Sequence, residues 1–402
     1  MLAAALVVVS SARAQAPGLT EAAAVSLALA RAPLRDLLGG EVAIEQGRAR
    51  TASSYSNPEL SYIREQTFGP LGTAEDSLAI AQTIDLANQR GLRGEAGEER
   101  ARAARLEGEA ARLAIAADVR VRFYDVVYRR DRALVLESWA SRIAEALEIV
   151  RRRERSGDAA TYELRRLERE RAVAAGRSEV EQAALEGAQA RLLARLGRSG
   201  AAGAIQGSLL PDSEPPELAT LRAASRSRPD LRALALKVAA AARERNAAER
   251  GWIPRLTLQG GWKGVDFGEQ GRADGFIAGA SLALPLWDRA AGVERAAEGE
   301  AQAAHARRAL LEAELEVELE GARVEAVRLL RTAIDFQDRT AAASGELVRI
   351  VSAGYAGGEL GLLELLDAYR GAADDAVIAL DMALAARRAR IELDRMTGAT
   401  VP

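Results

Sequence analysis

Few residues in this chain could do chemistry. There is one histidine, His305, three methionines and no cysteine. Without thiolates there is no disulfide, no Cys-ligated zinc and no lipid-bearing cysteine. One histidine and three methionines do not make a soft-metal site, so no cofactor and no bound metal are expected. Neither G-x-S-x-G nor G-x-x-x-x-G-K-[ST] occurs, and His305 sits in a charged, helix-patterned stretch. Acids are abundant but spread along helical stretches, where they read as solvated faces. The run Arg151-Arg152-Arg153-Glu154-Arg155 closes one such stretch, where cations complement the helix dipole. An enzyme is therefore not expected. The net charge of −3 gives no pull toward nucleic acid. What remains is the chemistry of surfaces: charged rings, docking faces and lipid contact.

The elements that would position such surfaces occur twice. Pro33 and Pro229 lie 196 residues apart, and so do Pro58 and Pro254; Leu86 and Leu286 lie 200 apart, Gly157 and Gly358 lie 201 apart. A near-constant offset means a duplicated unit. We divide the chain into residues 1–14, 15–214 and 215–402. The first is a short apolar run, Leu2 to Val9, followed by Ala12-Arg13-Ala14, and reads as a secretory signal with its cleavage site. No later stretch is apolar for 18 residues, so no membrane-crossing helix is expected.

Each repeat reads as helix, hairpin, long helix, return helix. In the first, Thr20 is the expected N-cap of a helical pattern over 19–54, interrupted near Pro33. A hairpin follows over 57–87, then a long helical hairpin over 89–196, broken at Ser156-Gly157-Asp158. The first long helix, 89–155, would run about 100 Å. The second repeat has a helix over 217–250 interrupted near Pro229, a hairpin over 254–287 and a helical hairpin over 288–397, turning at 354–361. Its strands are expected at 255–265 and 275–286, with a polar loop between. Leu319, Ala322, Ala326, Leu329, Ala333 and Phe336 repeat at 3-4 spacing, as do Leu362, Leu366, Tyr369, Ala373 and Ala376. That period supercoils helices packed knobs into holes. Aromatics are only 4% of the chain, which suits close Ala-lined helix contacts. The expected object is elongated, with strands at one pole and helical turns at the other.

Half of the aromatics cluster near the strands, Tyr62, Phe68, Trp262, Phe276 and Trp287 among them. Such a girdle marks the place where a β-barrel meets the lipid interface. Ten-residue tilted strands are long enough to cross a bilayer. Four strands cannot close a barrel, and an open edge in lipid leaves backbone groups unpaired. Three chains sharing one barrel would give twelve strands around an open lumen. The alternative is a secreted coiled-coil adaptor or scaffold protein with a small β cap.

At Asn57-Pro58-Glu59-Leu60, Gln82-Thr83-Ile84-Asp85-Leu86 with Gln89-Arg90-Gly91, Leu284-Pro285-Leu286-Trp287-Asp288-Arg289 and the tip string 355–368, the chain resembles the TolC family of outer-membrane efflux channels. The order and duplication of these pieces make the match specific, and it covers nearly all of the mature chain. The strand-to-helix strings lean toward the CzcC/CusC-like heavy-metal efflux branch. The resemblance implies a mainly α chain with a small β part: long coiled-coil helices forming an α-helical barrel, and four strands contributing to a shared 12-stranded transmembrane β-barrel in a homotrimer. It implies the outer-membrane channel of a tripartite efflux system, with its helical part in the periplasm. Its partners would be outer-membrane lipid, a periplasmic adaptor and, through the adaptor, an inner-membrane RND-type pump exporting heavy-metal cations or small toxic compounds. Type I protein secretion through the same channel fold is the alternative route.

The same resemblance assigns residues. Glu364 and Asp367 fall where acids ring the periplasmic aperture, a cation-favouring arrangement in three copies. Tyr355 and Glu163 fall at the coil latch, whose basic partner is replaced here by Leu360. Arg155, Gly157, Asp158, Gly357 and Gly358 form the tips on which an adaptor would dock.

Overall fold

The computed structural model describes residues 18–69, 72–155, 161–200, 203–287 and 290–399. The expected signal segment, 1–14, lies outside them, as do Gly157 and Asp158. Helices dominate. In chain order they are α1 (Glu21–Leu29), α2 (Ala32–Ser53), α3 (Gln89–Arg155), α4 (Thr161–Leu196), α5 (Leu218–Arg226), α6 (Pro229–Glu249), α7 (Ala291–Phe336), α8 (Ala342–Gly357) and α9 (Leu362–Thr397). Four strands, β1 (Glu59–Gln66), β2 (Ala74–Ile84), β3 (Arg255–Asp266) and β4 (Arg272–Ala283), make one sheet. The two halves of the chain run through the same order of elements. α1 and α5 have 9 residues each, and α4 and α9 have 36 each. α3 has 67; α7, a five-residue π-helical segment (Gln337–Ala341) and α8 have 46, 5 and 16.

Local chemistry sets the boundaries. The Ala23 N–H donates to Thr20 Oγ1 at 3.3 Å, capping α1. Pro33 falls in the first turn of α2 and Pro229 opens α6, where the missing N–H would have had no partner. α8 ends in a Schellman motif. Gly358 is left-handed (φ 79°), its N–H donates to the Tyr355 carbonyl at 3.2 Å, and the Glu359 N–H donates to the Gly354 carbonyl at 2.9 Å.

The chain divides into two units, each drawn from both repeats. One comprises residues 35–111 and 226–315 and contains the sheet. The sheet is an antiparallel meander in the order β1-β2-β3-β4, so the two hairpins join through β2 and β3, with Leu78 opposite Trp262 and Thr83 opposite Thr257. Leu60, Tyr62, Leu78, Ile80, Leu258, Trp262, Phe276 and Leu282 share one face and are all exposed. Ser61, Ser77, Thr83, Arg255, Thr257, Gln259, Lys263 and Ser281 share the other. β4 starts and ends three residues earlier than expected. Arg272 already pairs with Asp266, which shortens the loop, and Pro285 lies just past the strand, having no N–H to extend the ladder. Gly261 stands opposite Ala79 with no room for a β-carbon: one built there would lie 2.1 Å from the Leu78 carbonyl oxygen. Beneath the sheet, α2 and α3 approach so closely that a β-carbon on Gly97 would stand 2.6 Å from the Ala49 Cα. Ala103, Leu106 and Ala233 pack α3 on α6.

The other unit comprises residues 18–34, 112–225 and 316–399 of the described chain. One apolar cluster gathers Phe123, Val126 and Val127 of α3 with Leu192 of α4, Ile391 of α9 and Ala24 of α1. A second gathers Leu136, Trp139, Ile143 and Leu147 of α3 with Leu167 of α4, Val351 of α8 and Leu365 of α9. Buried charges are paired, as burial requires. Glu181 accepts from Arg129 at 3.1 Å and forms an ion pair with Arg132, also at 3.1 Å. Arg120 bridges Glu21 and Asp394. Arg387 donates to the carbonyls of Ser208 and Leu209, each at 2.9 Å, which fastens the connector after α4 to α9.

Candidate functional site: the α8–α9 tip and the exposed sheet

The tip is built from the second apolar cluster outward. Leu362, Leu365 and Leu366 are buried on the inner side of the first turns of α9, so Glu364 and Asp367, three residues apart, take the exposed side. Glu364 folds back over Gly361, the N-cap of α9: a β-carbon on Gly361 would lie 2.8 Å from Glu364 Oε2. Among the described residues neither acid forms an ion pair. Asp367 contributes to the raised pKa of Arg370, whose main partner is Glu170 at 2.6 Å. Two uncommitted carboxylates on one helix face form a cation-attracting surface.

Tyr355 is buried near the end of α8, with the Arg153 guanidinium 5.2 Å from its ring centroid. Burial pushes the phenol up from its ordinary range, Arg153 pulls it down, and the nearby Glu163 pushes it up again. Arg153 of α3 is thus the cation beside Tyr355, and Glu163 of α4 is near enough for its charge to be felt there. Leu360, at the position of the expected basic partner, instead packs over Gly354: a β-carbon on Gly354 would lie 2.8 Å from Leu360 Cδ1. Position matching could not reveal Arg153, because it reads as one member of a basic helix end. Arg155 closes α3 and is exposed, as are Gly357 and Gly358. Gly157 and Asp158 lie outside the described residues.

The expected membrane-interface aromatics are all exposed. Phe68 is 89% exposed, Phe276 85%, Trp287 93% and Tyr62 62%, while Trp262, at 37%, is partly covered by the Arg272 guanidinium 5.2 Å from its ring. Exposed aromatics beside an exposed apolar sheet face mark a surface that something apolar must cover. Among the described residues no helix is long and apolar enough to cross a membrane. No group of three His, Asp or Glu side chains among them is placed to hold a metal ion.

Residues 220–399 match the family model described as outer membrane efflux protein. Over that stretch, 180 of the 402 residues, the chain is similar to outer membrane efflux proteins. The whole chain has the fold of such channels. Against a structure of CusC, solved in a study of folding and transmembrane channel formation, the TM-score is 0.77 at 17% identity, covering 94% of this chain and 92% of that one. Against the CmeC outer membrane channel of Campylobacter jejuni it is 0.77 at 16%, covering 94% and 85%. Against the open state of the MtrE outer membrane channel of Neisseria gonorrhoeae it is 0.75 at 18%, covering 93% and 88%. No curated protein sequence matches the chain.

Proposed function

We propose that this chain is an outer-membrane efflux channel with its helical part in the periplasm, three copies of which share one twelve-stranded barrel and form the outer conduit of a tripartite efflux system. The observation that carries this reading is the sheet: an exposed apolar face, exposed aromatics, and β1 and β4 each with an edge that no described strand covers. Lipid satisfies the face, and neighbouring copies satisfy the edges. In this reading Glu364 and Asp367 ring the periplasmic aperture and favour cations. Tyr355 and Glu163, with Arg153, hold the coils closed. Arg155, Gly357 and Gly358, with Gly157 and Asp158, present the tip to a periplasmic adaptor and, through it, to an RND-type pump. Heavy-metal cations or small toxic compounds are the cargo that fits a cation-favouring aperture and the CzcC/CusC-like strings.

The native mass of protein extracted by detergent from outer membranes tests the assembly: three chains are expected. Recovery of a monomer or dimer from the soluble periplasm overturns it and leaves a coiled-coil scaffold. In planar bilayers the trimer is expected to prefer cations, and Glu364→Gln with Asp367→Asn to reduce that preference severalfold; unchanged selectivity removes the acids from the aperture.

A further inference from the structure

A cavity of about 460 Å³ lies at the foot of the sheet, on its polar face. Arg90, Arg93 and Arg255 line it, together with Tyr55, Thr83 and Gln89. Asp85 is the one acid among the lining residues, and its oxygens are already used: Oδ1 accepts from the Ala87 N–H at 3.2 Å and Oδ2 from the Arg90 N–H at 2.7 Å. Arg93 is 3.6 Å from Glu244, a carboxylate that Arg100 also approaches, at 3.3 Å. Arg90 stacks 3.7 Å over the Tyr55 ring and donates Nη1 to the Ser53 carbonyl at 2.6 Å, which leaves its Nε buried with no acceptor. Arg255 is exposed and forms no ion pair among the described residues. Three arginines therefore line a cavity whose single acid is already hydrogen-bonded, and the only carboxylate paired with Arg93 among the described residues is shared with Arg100. Guanidinium forks bind planar or tetrahedral oxyanions through paired N–H donors.

We propose that this cavity binds a small oxyanionic group, a phosphate or a carboxylate. Insofar as the polar face is the lumen of a shared barrel, it is also where the conduit holds anionic groups on what passes, in contrast to the acids of the tip. The lumen placement rests on the trimeric channel reading; the binding site itself does not.

Isothermal titration of the detergent-solubilised full chain tests the site. Inorganic phosphate and succinate are the probes, with ionic strength held constant by sodium chloride. Saturable uptake at one site per chain is expected, at least tenfold weaker in Arg255→Gln and in Arg93→Gln. Arg349→Gln, on the exposed side of α8, should leave it unchanged. Uptake of phosphate alone assigns the site to phosphate-bearing molecules, and uptake of succinate alone to carboxylates. No saturable heat from either probe, or equal uptake by Arg255→Gln, overturns the proposal. The native mass of the same sample separates the two readings. A trimer without uptake removes the site and keeps the channel. A monomer that binds phosphate keeps the site and removes the lumen.

Discussion

The two long helical arms have the same length and different insides. α3 runs its 67 residues without a break, while its counterpart in the second repeat is interrupted by the π-helical segment Gln337–Ala341. At the same distance back from the end of α3, residues 135–139 put Leu136 and Trp139 into the apolar cluster shared with α4, α8 and α9. The π segment sets Gln337, Asp338 and Arg339 in solvent instead. A π turn leaves one residue more per turn than the α-ladder accommodates, and such turns gather at places that must adapt. Of two arms of one length, one is a stapled strut and the other an arm with a weak point.

The largest effect is expected at the staple. Trp139→Ala should cost about 3–5 kcal/mol in denaturant melts, whereas Thr340→Ala in the π segment should stay within about 0.5 kcal/mol. Equal losses would break the comparison. Trp139→Phe sharpens it. The indole N–H is buried with no acceptor, so its removal breaks no hydrogen bond, and the cost should stay below about 1.5 kcal/mol.

The joints where strands become helices offer a second contrast. Asp85 accepts from the Arg90 N–H in the first turn of α3 with one oxygen and from the Ala87 N–H just before the helix with the other, so Asp85→Ala should destabilise by about 1 kcal/mol. Asn88 and Ala290 both take left-handed backbone, at φ 54° and 63°. Asparagine tolerates that conformation and alanine pays for it. Ala290→Gly should therefore raise stability, by about 0.5–1 kcal/mol after the added freedom of the unfolded chain is subtracted. A loss in the same melt would mean that the Ala290 methyl is held by contacts worth more than the strain.

Much of this was legible in the sequence, for definite reasons. Pro33, Pro58, Pro229 and Pro254 act through one residue each, so the boundaries near them are local facts. The alternation of Leu78, Ile80 and Ile84 with Ser77, Ala79 and Thr83 fixes the faces of β2 without a partner. The start of β4 was not legible, because Arg272 joins the ladder through its register against Asp266 rather than through its own type. The π segment contains neither proline nor glycine, so nothing local announces it. The Glu21–Arg120–Asp394 bridge joins residues 99 and 274 positions apart. The arginine cavity assembles residues from the ends of both hairpins, and in sequence Arg255 is an ordinary strand residue beside a proline.

Because β1 and β4 each keep an edge that no described strand covers, the last hydrogen bonds of the sheet are intermolecular in the proposed trimer. Completing the sheet is then a reaction whose rate and extent depend on how many chains are present, so stability becomes a property of concentration as well as of sequence. A copy whose β1 is damaged would still offer a sound β4 edge. It would enter the ring, fail to close it and disable its two intact neighbours, which makes defects in this sheet dominant.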